Sequence, residues 1–149
     1  MNFLKSTNNL LKQLVSAGFI MIFCSCSKQS VSINSTAAAL MGKWNLISDS
    51  EYTGVGTNNH LVGYIGQPGD YFDFSTNQNV YIKEGTIYDT VRYQVVTSST
   101  IIIADFGLIG NGVQDTSKIV NLTPDSVTIV SPVSITPGGI FGRTVHLGR

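Results

Sequence analysis

The chain has 149 residues, of which 42% are hydrophobic and 12% charged, and its nine basic and nine acidic residues leave no formal net charge. The basic residues form neither a run nor a stripe alternating with aromatic side chains. Nucleic acid is therefore not an expected partner, because binding to phosphates takes clustered lysine and arginine.

The N-terminus has the order of a bacterial export signal. Lys5 and Lys12 precede an apolar run of ten residues, Leu14–Phe23. A transmembrane helix takes about 20 residues, so ten suit the apolar region of a signal peptide. The alternative interpretation is a buried core helix. We predict a signal peptide, which lies outside the folded domain.

A cysteine follows the apolar run. Ser25-Cys26 resembles a lipobox, the site where a signal peptidase cuts before a cysteine that carries lipid. A cut before Cys24 would put Phe23 where a small residue is preferred. We therefore predict cleavage before Cys26 and lipid attachment to Cys26, which leaves no thiol for a disulfide. The predicted divisions are a signal peptide over 1–25, a tether over 26–34 and one β-barrel domain over 35–149.

The first predicted element of the domain is one or two turns of helix. Asn34 or Ser35 can cap its start, an alanine-rich run follows, and Gly42 suits the position just after its end. From Lys43 onward the hydrophobic pattern has period two and is interrupted by turn residues, which is typical of an all-β domain. The predicted strands are 43–50, 60–66, 70–75, 79–84, 87–97, 100–105, 116–123, 126–131 and 141–148.

Alternation also predicts which side chains share a face. Phe72 and Phe74 lie on one face of their strand, and so do Val80 and Ile82 on the next. In the last strand the shared face holds Phe141, Arg143, Val145 and Leu147. The segment Glu51–Gly69, rich in glycine, is expected to be a long flexible loop around one short strand, and Pro137-Gly138-Gly139 a type II turn.

Short connections between these strands favour pairing between sequence neighbours. We therefore predict an all-β fold: a small antiparallel up-and-down β-barrel of eight or nine strands, preceded by a short helical turn. Closure into a barrel removes the exposed edges of an open sheet. A barrel of about eight strands has room for packed side chains or for one small ligand.

The order of several motifs resembles a known family. Leu40-Met41-Gly42-Lys43-Trp44, a helical turn followed by Gly-x-Trp, is similar to the start motif of the lipocalins. Together with the lipobox and the tether, this order resembles the lipocalin-like lipoprotein domains of Bacteroidetes, over roughly residues 40–149. The later stretches that carry the resemblance are Tyr71–Ser75, Val91–Val95, Ile119–Thr123 and Arg143–Leu147.

The resemblance implies how the barrel is closed at one end. In lipocalins the tryptophan of Gly-x-Trp stacks against an arginine of the last strand, so Gly42 and Trp44 would close the barrel with Arg143 or Arg149. We prefer Arg143, because it shares strand parity with residues expected in the core. A cation–π contact of this kind contributes about 0.5–2 kcal/mol.

The resemblance also implies a role. We expect a non-catalytic, lipid-anchored envelope protein that binds a small hydrophobic molecule in the barrel mouth, between the loops Glu51–Gly69 and Gly107–Gly112. The alternative is a packed barrel that serves as a structural or protein-interaction module, and a void of about 300 Å³ would favour the ligand. The expected lining residues are Tyr64, Phe72, Tyr81, Tyr93 and Phe106.

The anchor on Cys26 implies the outer membrane. Because Ser27-Lys28 lacks the acidic residues that resemble a surface-export tag, we expect the periplasm-facing side. No metal or cofactor is expected, since His60 and His146 have no His or Cys partner at ligand spacing. Gly-x-Ser-x-Gly is absent, and an enzyme would need one of these histidines beside a Ser or Asp in a cleft.

Overall fold

A computed structural model describes residues 28–107 and 116–149 of the chain. The predicted signal peptide, Cys26 and most of the Gly107–Gly112 loop lie outside the described residues. Residues Ser32–Arg149 form one compact unit. Within the part that the structure describes, no helix has the length and the apolar character needed to cross a membrane.

The described residues form one α-helix, a 3₁₀ turn at Gly56–Asn58 and eleven strands. The helix α1 spans Lys28–Leu40. The strands are β1 Gly42–Thr53, β2 His60–Ile65, β3 Tyr71–Phe74, β4 Asn79–Glu84, β5 Ile87–Thr97, β6 Thr100–Ile103, β7 Thr116–Val120, β8 Ser126–Val130, β9 Ser134–Thr136, β10 Gly139–Phe141 and β11 Arg143–Gly148.

Nine strands form one antiparallel sheet that closes on itself. Their order is β11-β8-β7-β6-β5-β4-β3-β1-β2, and a further pairing of β11 with β1 completes the ring. Both β3 and β2 pair along the edge of β1 that β11 leaves open: β3 along residues 42–45 and β2 along residues 48–53. The ring therefore has eight strand positions, and the predicted all-β barrel is confirmed.

The structure corrects several predicted boundaries. The helix begins at Lys28, well before the predicted cap at Asn34 or Ser35. Strand β1 continues to Thr53 and β2 spans His60–Ile65, so the predicted long loop of Glu51–Gly69 is wrong: it is reduced to two short connections, 54–59 and 66–69. Pairing of β1 with β2 holds this glycine-rich stretch in the sheet, an effect that composition does not show.

The end of the chain also differs from the prediction. Pro137-Gly138 joins β9 to β10 in a small hairpin that the sequence analysis missed. Phe141 belongs to that hairpin and not to the last strand, which begins at Arg143. The hairpin contacts β1. The Tyr52 amide of β1 donates to the carbonyl of Gly142, the residue that follows β10, at 3.0 Å.

Along these strands, every second side chain is apolar and faces the inside of the barrel. Phe72 and Phe74 of β3 are buried, as are Val80 and Ile82 of β4, and the predicted faces of these strands are confirmed. The Phe74 ring meets the Tyr93 ring edge to face, with centroids 5.1 Å apart. The buried apolar core as a whole comprises Leu40, Trp44, Leu46, Phe72, Phe74, Val80, Ile82, Tyr93, Ile101, Ile103, Phe106, Ile119, Val127, Ile129, Val145 and Leu147.

A β-bulge in β1 shifts this alternation. Opposite β11, Leu46 pairs with Leu147 and Ser48 with His146, so Ile47 is an extra residue on the outer face. The next inward residue after Leu46 is therefore Asp49, which is only 3% exposed. Bulges re-aim side chains in this way, and here the bulge brings a carboxylate into the barrel.

The pairing along the neighbouring edge of β1 is interrupted at the level of this bulge. Between β2 and β3 the chain leaves the sheet, and the Gly66 amide donates to the Ile47 carbonyl at 3.0 Å. A Cβ atom at Gly66 would lie 1.9 Å from the Leu46 carbonyl oxygen, so only glycine fits there. We use "lip" for the structure beyond this break: β2, the Ser48–Thr53 half of β1, and the β9–β10 hairpin, a separate two-stranded sheet that contacts β1.

Candidate functional site

The barrel has two distinct ends. One, the helix end, carries α1 and the start of β1. The other, the far end, carries the lip, the β4–β5 turn and the start of β11. The candidate site is built from residues at these two ends.

Trp44 and Arg149 close the helix end. The Trp44 indole is fully buried and donates from Nε1 to the Leu40 carbonyl at 2.8 Å. The Arg149 guanidinium lies 3.8 Å from the centroid of the Trp44 ring and donates to the Met41 carbonyl at 2.6 Å and the Ala39 carbonyl at 3.2 Å. The last carbonyls of α1 are thus satisfied by side chains, one of them cationic.

The preference for Arg143 as the partner of Trp44 was wrong. Asn45 pairs with Gly148, so the register puts Arg149 beside Trp44. Arg143 and Arg149 have the same strand parity, and parity could not separate them. Gly42 has a φ of +96°, as expected of a glycine that follows a helix C-terminus.

Arg143 lies at the far end and joins the two strands that close the ring. Its Nε donates to Asp49 Oδ2 at 2.8 Å, and one of its terminal nitrogens donates to the same oxygen. That nitrogen also contacts Glu84 Oε2 at 3.3 Å. The guanidinium carbon lies 5.1 Å from the Phe106 ring centroid and 5.9 Å from that of Phe72. A largely buried cation, 16% exposed, therefore lies among two carboxylates and two rings.

This cluster shifts the ionisation of its members. Burial works to lower the pKa of Arg143, but the hydrogen bond with Asp49 and the nearby carboxylates outweigh it, and the net pKa is raised. Burial raises the pKa of Glu84, and the neighbouring Asp49 charge adds to the rise, which Arg143 opposes. Oδ1 of Asp49 is buried and accepts no hydrogen bond in the described structure. Such groups are rare in native proteins.

A second polar cluster holds the break between β2 and β3. Asp70 is buried, and its Oδ2 accepts from the Tyr64 hydroxyl at 2.7 Å and the Gln67 amide at 2.8 Å. Its Oδ1 accepts from the Gly85 amide at 2.9 Å and contacts Lys83 Nζ at 3.3 Å. Asp70 therefore ties the start of the lip to the β4–β5 turn.

The same bonds fix the charge states. The Tyr64 hydrogen bond, with backbone amides, lowers the pKa of Asp70 from 3.8 to about 2. The bond to Asp70 raises the pKa of Tyr64 to about 12, with burial adding to the rise. The Tyr64 hydroxyl therefore keeps its proton near neutral pH and donates a hydrogen bond to Asp70.

The five predicted lining residues do not share one place. Phe72 and Phe106 are buried and both face Arg143 at the far end. Tyr93 is buried and donates to the Ser75 carbonyl at 3.0 Å, and burial raises its pKa. Tyr64 is bound to Asp70, and Tyr81 lies on the outer wall, 37% exposed.

Two clefts flank α1 at the helix end. One has a volume of about 500 Å³ and opens between α1 and the β7–β8 connection. The other, of about 320 Å³, opens between α1 and β5. Neither lies at the far end, where the sequence predicted the ligand. The larger cleft is lined by Ser35, Thr36, Ala39, Leu122, Thr123, Pro124 and Arg149.

The hydrogen bonds described for the two histidines go to residues outside both polar clusters. His60 Nδ1 is 2.7 Å from the Asn58 carbonyl oxygen, and His146 Nδ1 is 2.8 Å from Thr128 Oγ1. Among residues 28–107 and 116–149, no three His, Cys, Asp or Glu side chains are grouped so that they could hold a metal ion.

The residues that sequence reasoning missed are Asp49 and Glu84. Glu84 continues the inward parity of Val80 and Ile82, so that signal was present in β4. Asp49 carried no such signal, because the bulge reverses its parity.

No family model matches this chain, and no curated protein matches it.

Proposed function

We propose that the chain is a lipid-anchored envelope protein with a lipocalin-like barrel that binds a small hydrophobic molecule at the far end without catalysis. The observation that carries the proposal is the position of Arg143. Its guanidinium reaches the far end of the interior between the Phe72 and Phe106 rings, and its side chain keeps 16% of its surface exposed. An apolar wall with one polar anchor is what small-molecule sites combine.

The rim of the far end supports the same function. Val55, Ile87 and Tyr88 follow β1 or begin β5 at this end, and each is about two-thirds exposed. Exposed apolar side chains around a barrel opening mark binding surfaces more often than scattered ones do. The apolar body of the ligand would lie on this rim, and its polar group would meet Glu84 and Arg143, whose side chains are 21% and 16% exposed.

The ligand is tested on the full chain taken from its own membrane. Native mass spectrometry is expected to find a bound small molecule in the wild-type chain. Ile87→Lys, which puts a charge on the apolar rim, should remove it. Tyr81→Lys is the matched control, since Tyr81 is exposed on the outer wall, and should keep it. A wild-type chain without adduct, or equal adducts in both variants, contradicts the proposal.

The anchor is a separate part of the proposal and rests on the sequence around Cys26. We propose lipidation of Cys26 and a place in the outer membrane, facing the periplasm. Cys26→Ala should leave a longer, unprocessed chain that takes up no labelled fatty acid, while Cys24→Ala should behave as wild type. Fatty-acid labelling followed by electrophoresis measures both, and a labelled Cys26→Ala chain refutes the anchor.

A second function is favoured by one observation. Among residues 28–107 and 116–149, strand β2 pairs with β1 alone, and five of its six residues are exposed. Together with the dense apolar core near Trp44, this supports a packed barrel that docks a protein through its lip. The adduct experiment separates the two functions, because a docking barrel would carry no small molecule.

A further inference from the structure

Strand β2 is an edge strand without the usual protection. It spans His60–Ile65 and pairs with β1 only, so its other edge has no strand partner in the part of the chain that is described. Exposed edges invite pairing with another chain, and proteins normally block them with charges, prolines or short length. The sequence HLVGYI has no Asp, Glu, Lys, Arg or Pro.

The other exposed edge of the lip is protected. Strand β9 has only three residues, Ser134–Thr136, and Pro132 and Pro137 stand on either side of it. These are the devices that stop edge-to-edge association. Because the edge of β9 is protected and that of β2 is not, the contrast favours a binding role for the edge of β2.

The side chains of β2 suit a copy of the same strand. Leu61 is 56% exposed and Ile65 is 70% exposed, and both lie on the outer face because they pair with Tyr52 and Ser48 of β1. A second β2 meets no like-charge repulsion here, whereas opposed like charges destabilise strand pairs. A charged partner segment would find no complementary charge along this edge.

Symmetry limits the register, and an axis at Gly63 is the choice that sets the two exposed outer residues of β2, Leu61 and Ile65, against each other. We propose that β2 pairs antiparallel with β2 of a second copy of this chain, about a two-fold axis at Gly63. A two-fold axis perpendicular to the sheet keeps each face continuous only when paired residue numbers have equal parity. Gly63 then lies opposite Gly63, Leu61 opposite Ile65, and Val62 opposite Tyr64. This is an isologous contact, so the contact of Leu61 with Ile65 and that of Val62 with Tyr64 each occur twice.

The homodimer is a property of the lip and does not depend on a bound ligand or on the lipid anchor. It joins two barrels through one continuous sheet and covers Leu61 and Ile65 of both copies. A single strand pair buries a modest area, which belongs to the weak class of interfaces. Attachment of both copies to one membrane would favour the contact by raising their local concentration.

The register is tested by crosslinking the full chain in its own membrane. Gly63→Cys introduces a thiol at the axis, where a Cβ atom meets nothing closer than Ser50 Oγ at 3.8 Å. Ile135→Cys on β9 is the matched control, because Ile135 is 79% exposed on the other edge of the lip. The chain without either substitution gives the background, which includes any chain that is unprocessed and still carries the Cys24 and Cys26 thiols.

Mild oxidation should give about tenfold more covalent dimer with Gly63→Cys than with Ile135→Cys, because a disulfide needs Cα atoms about 4.4–6.8 Å apart. Adding Leu61→Lys and Ile65→Lys should remove that dimer, and Leu61→Thr with Ile65→Thr should reduce it. All four substitutions are at exposed positions, so the circular dichroism spectrum should not change. Equal crosslinking at positions 63 and 135, or a dimer that survives both pairs of substitutions, overturns the proposal.

Discussion

The Arg149 guanidinium stacks on the Trp44 ring at 3.8 Å while it donates to the Ala39 and Met41 carbonyls. One side chain from the end of the last strand thus covers the first core residue of the barrel and caps the helix before it. The helix, the first strand and the last strand are held together at this point.

Truncation of Trp44 should destabilise the whole barrel. Trp44→Ala removes a fully buried indole and its bond to the Leu40 carbonyl. We expect a loss of about 3–5 kcal/mol in the free energy of unfolding, measured by urea titration. Trp44→Phe should cost less, because it keeps most of the apolar volume. A loss below 1 kcal/mol for Trp44→Ala, on the order of a surface change, would contradict this packing.

Removal of the Arg149 cap should have a smaller effect. Arg149→Ala leaves the Ala39 carbonyl of α1 and the Met41 carbonyl just after it without their donor, and Arg149 is exposed. We expect about 1 kcal/mol, typical of a lost cap or surface cation–π contact. Arg149→Lys should recover part of it, since an ammonium group can also donate and contact the ring. The same urea titrations give the answer, and equal losses in both variants would contradict it.

The Arg143–Asp49 pair should be strongly coupled. Arg143→Met leaves Asp49 as a buried carboxylate without its cation, which costs about 3–5 kcal/mol in comparable pairs. The double variant Arg143→Met with Asp49→Leu should be more stable than Arg143→Met alone, because no uncompensated charge remains. A double-mutant cycle of unfolding free energies measures the coupling, and additive effects would show that the two side chains act independently.

Acid should weaken the barrel in part through Asp70. Its pKa is about 2 in the folded chain, against an ordinary value of 3.8. A carboxyl whose folded pKa is depressed stabilises the fold above its unfolded pKa, and this stability is lost as pH falls from about 4 toward 2. Urea midpoints across this range should fall less steeply for Asp70→Asn. Tyr64→Phe, which removes the main cause of the shift, should also flatten the slope.

Alternation alone predicted the strands that build the core. Phe72, Phe74, Val80 and Ile82 are buried as their parity requires, since each belongs to a short strand with regular pairing on both sides. The short turns then left few ways to connect the strands, which is why the barrel followed from the sequence.

The candidate site was less accessible to sequence reasoning. The register of β11 on β1 decided which arginine meets Trp44, and register depends on the whole closed ring. The inward position of Asp49 depends on the bulge at Ile47. The sequence did not predict the β9–β10 hairpin, because strands of three residues are too short to show a period.

The coincidence of the bulge at Ile47 with the break at Gly66 divides the barrel crosswise. On the helix side, β3 is paired on both edges, whereas beyond the break β2 is paired on one edge within the described part of the chain. The lip can therefore unfold locally while the apolar layer around Trp44 stays intact, as a separate cooperative unit with its own opening energy. In the monomeric chain, amide hydrogens of β2 should accordingly exchange with deuterium well before those of β3, although the two strands lie along one edge of β1.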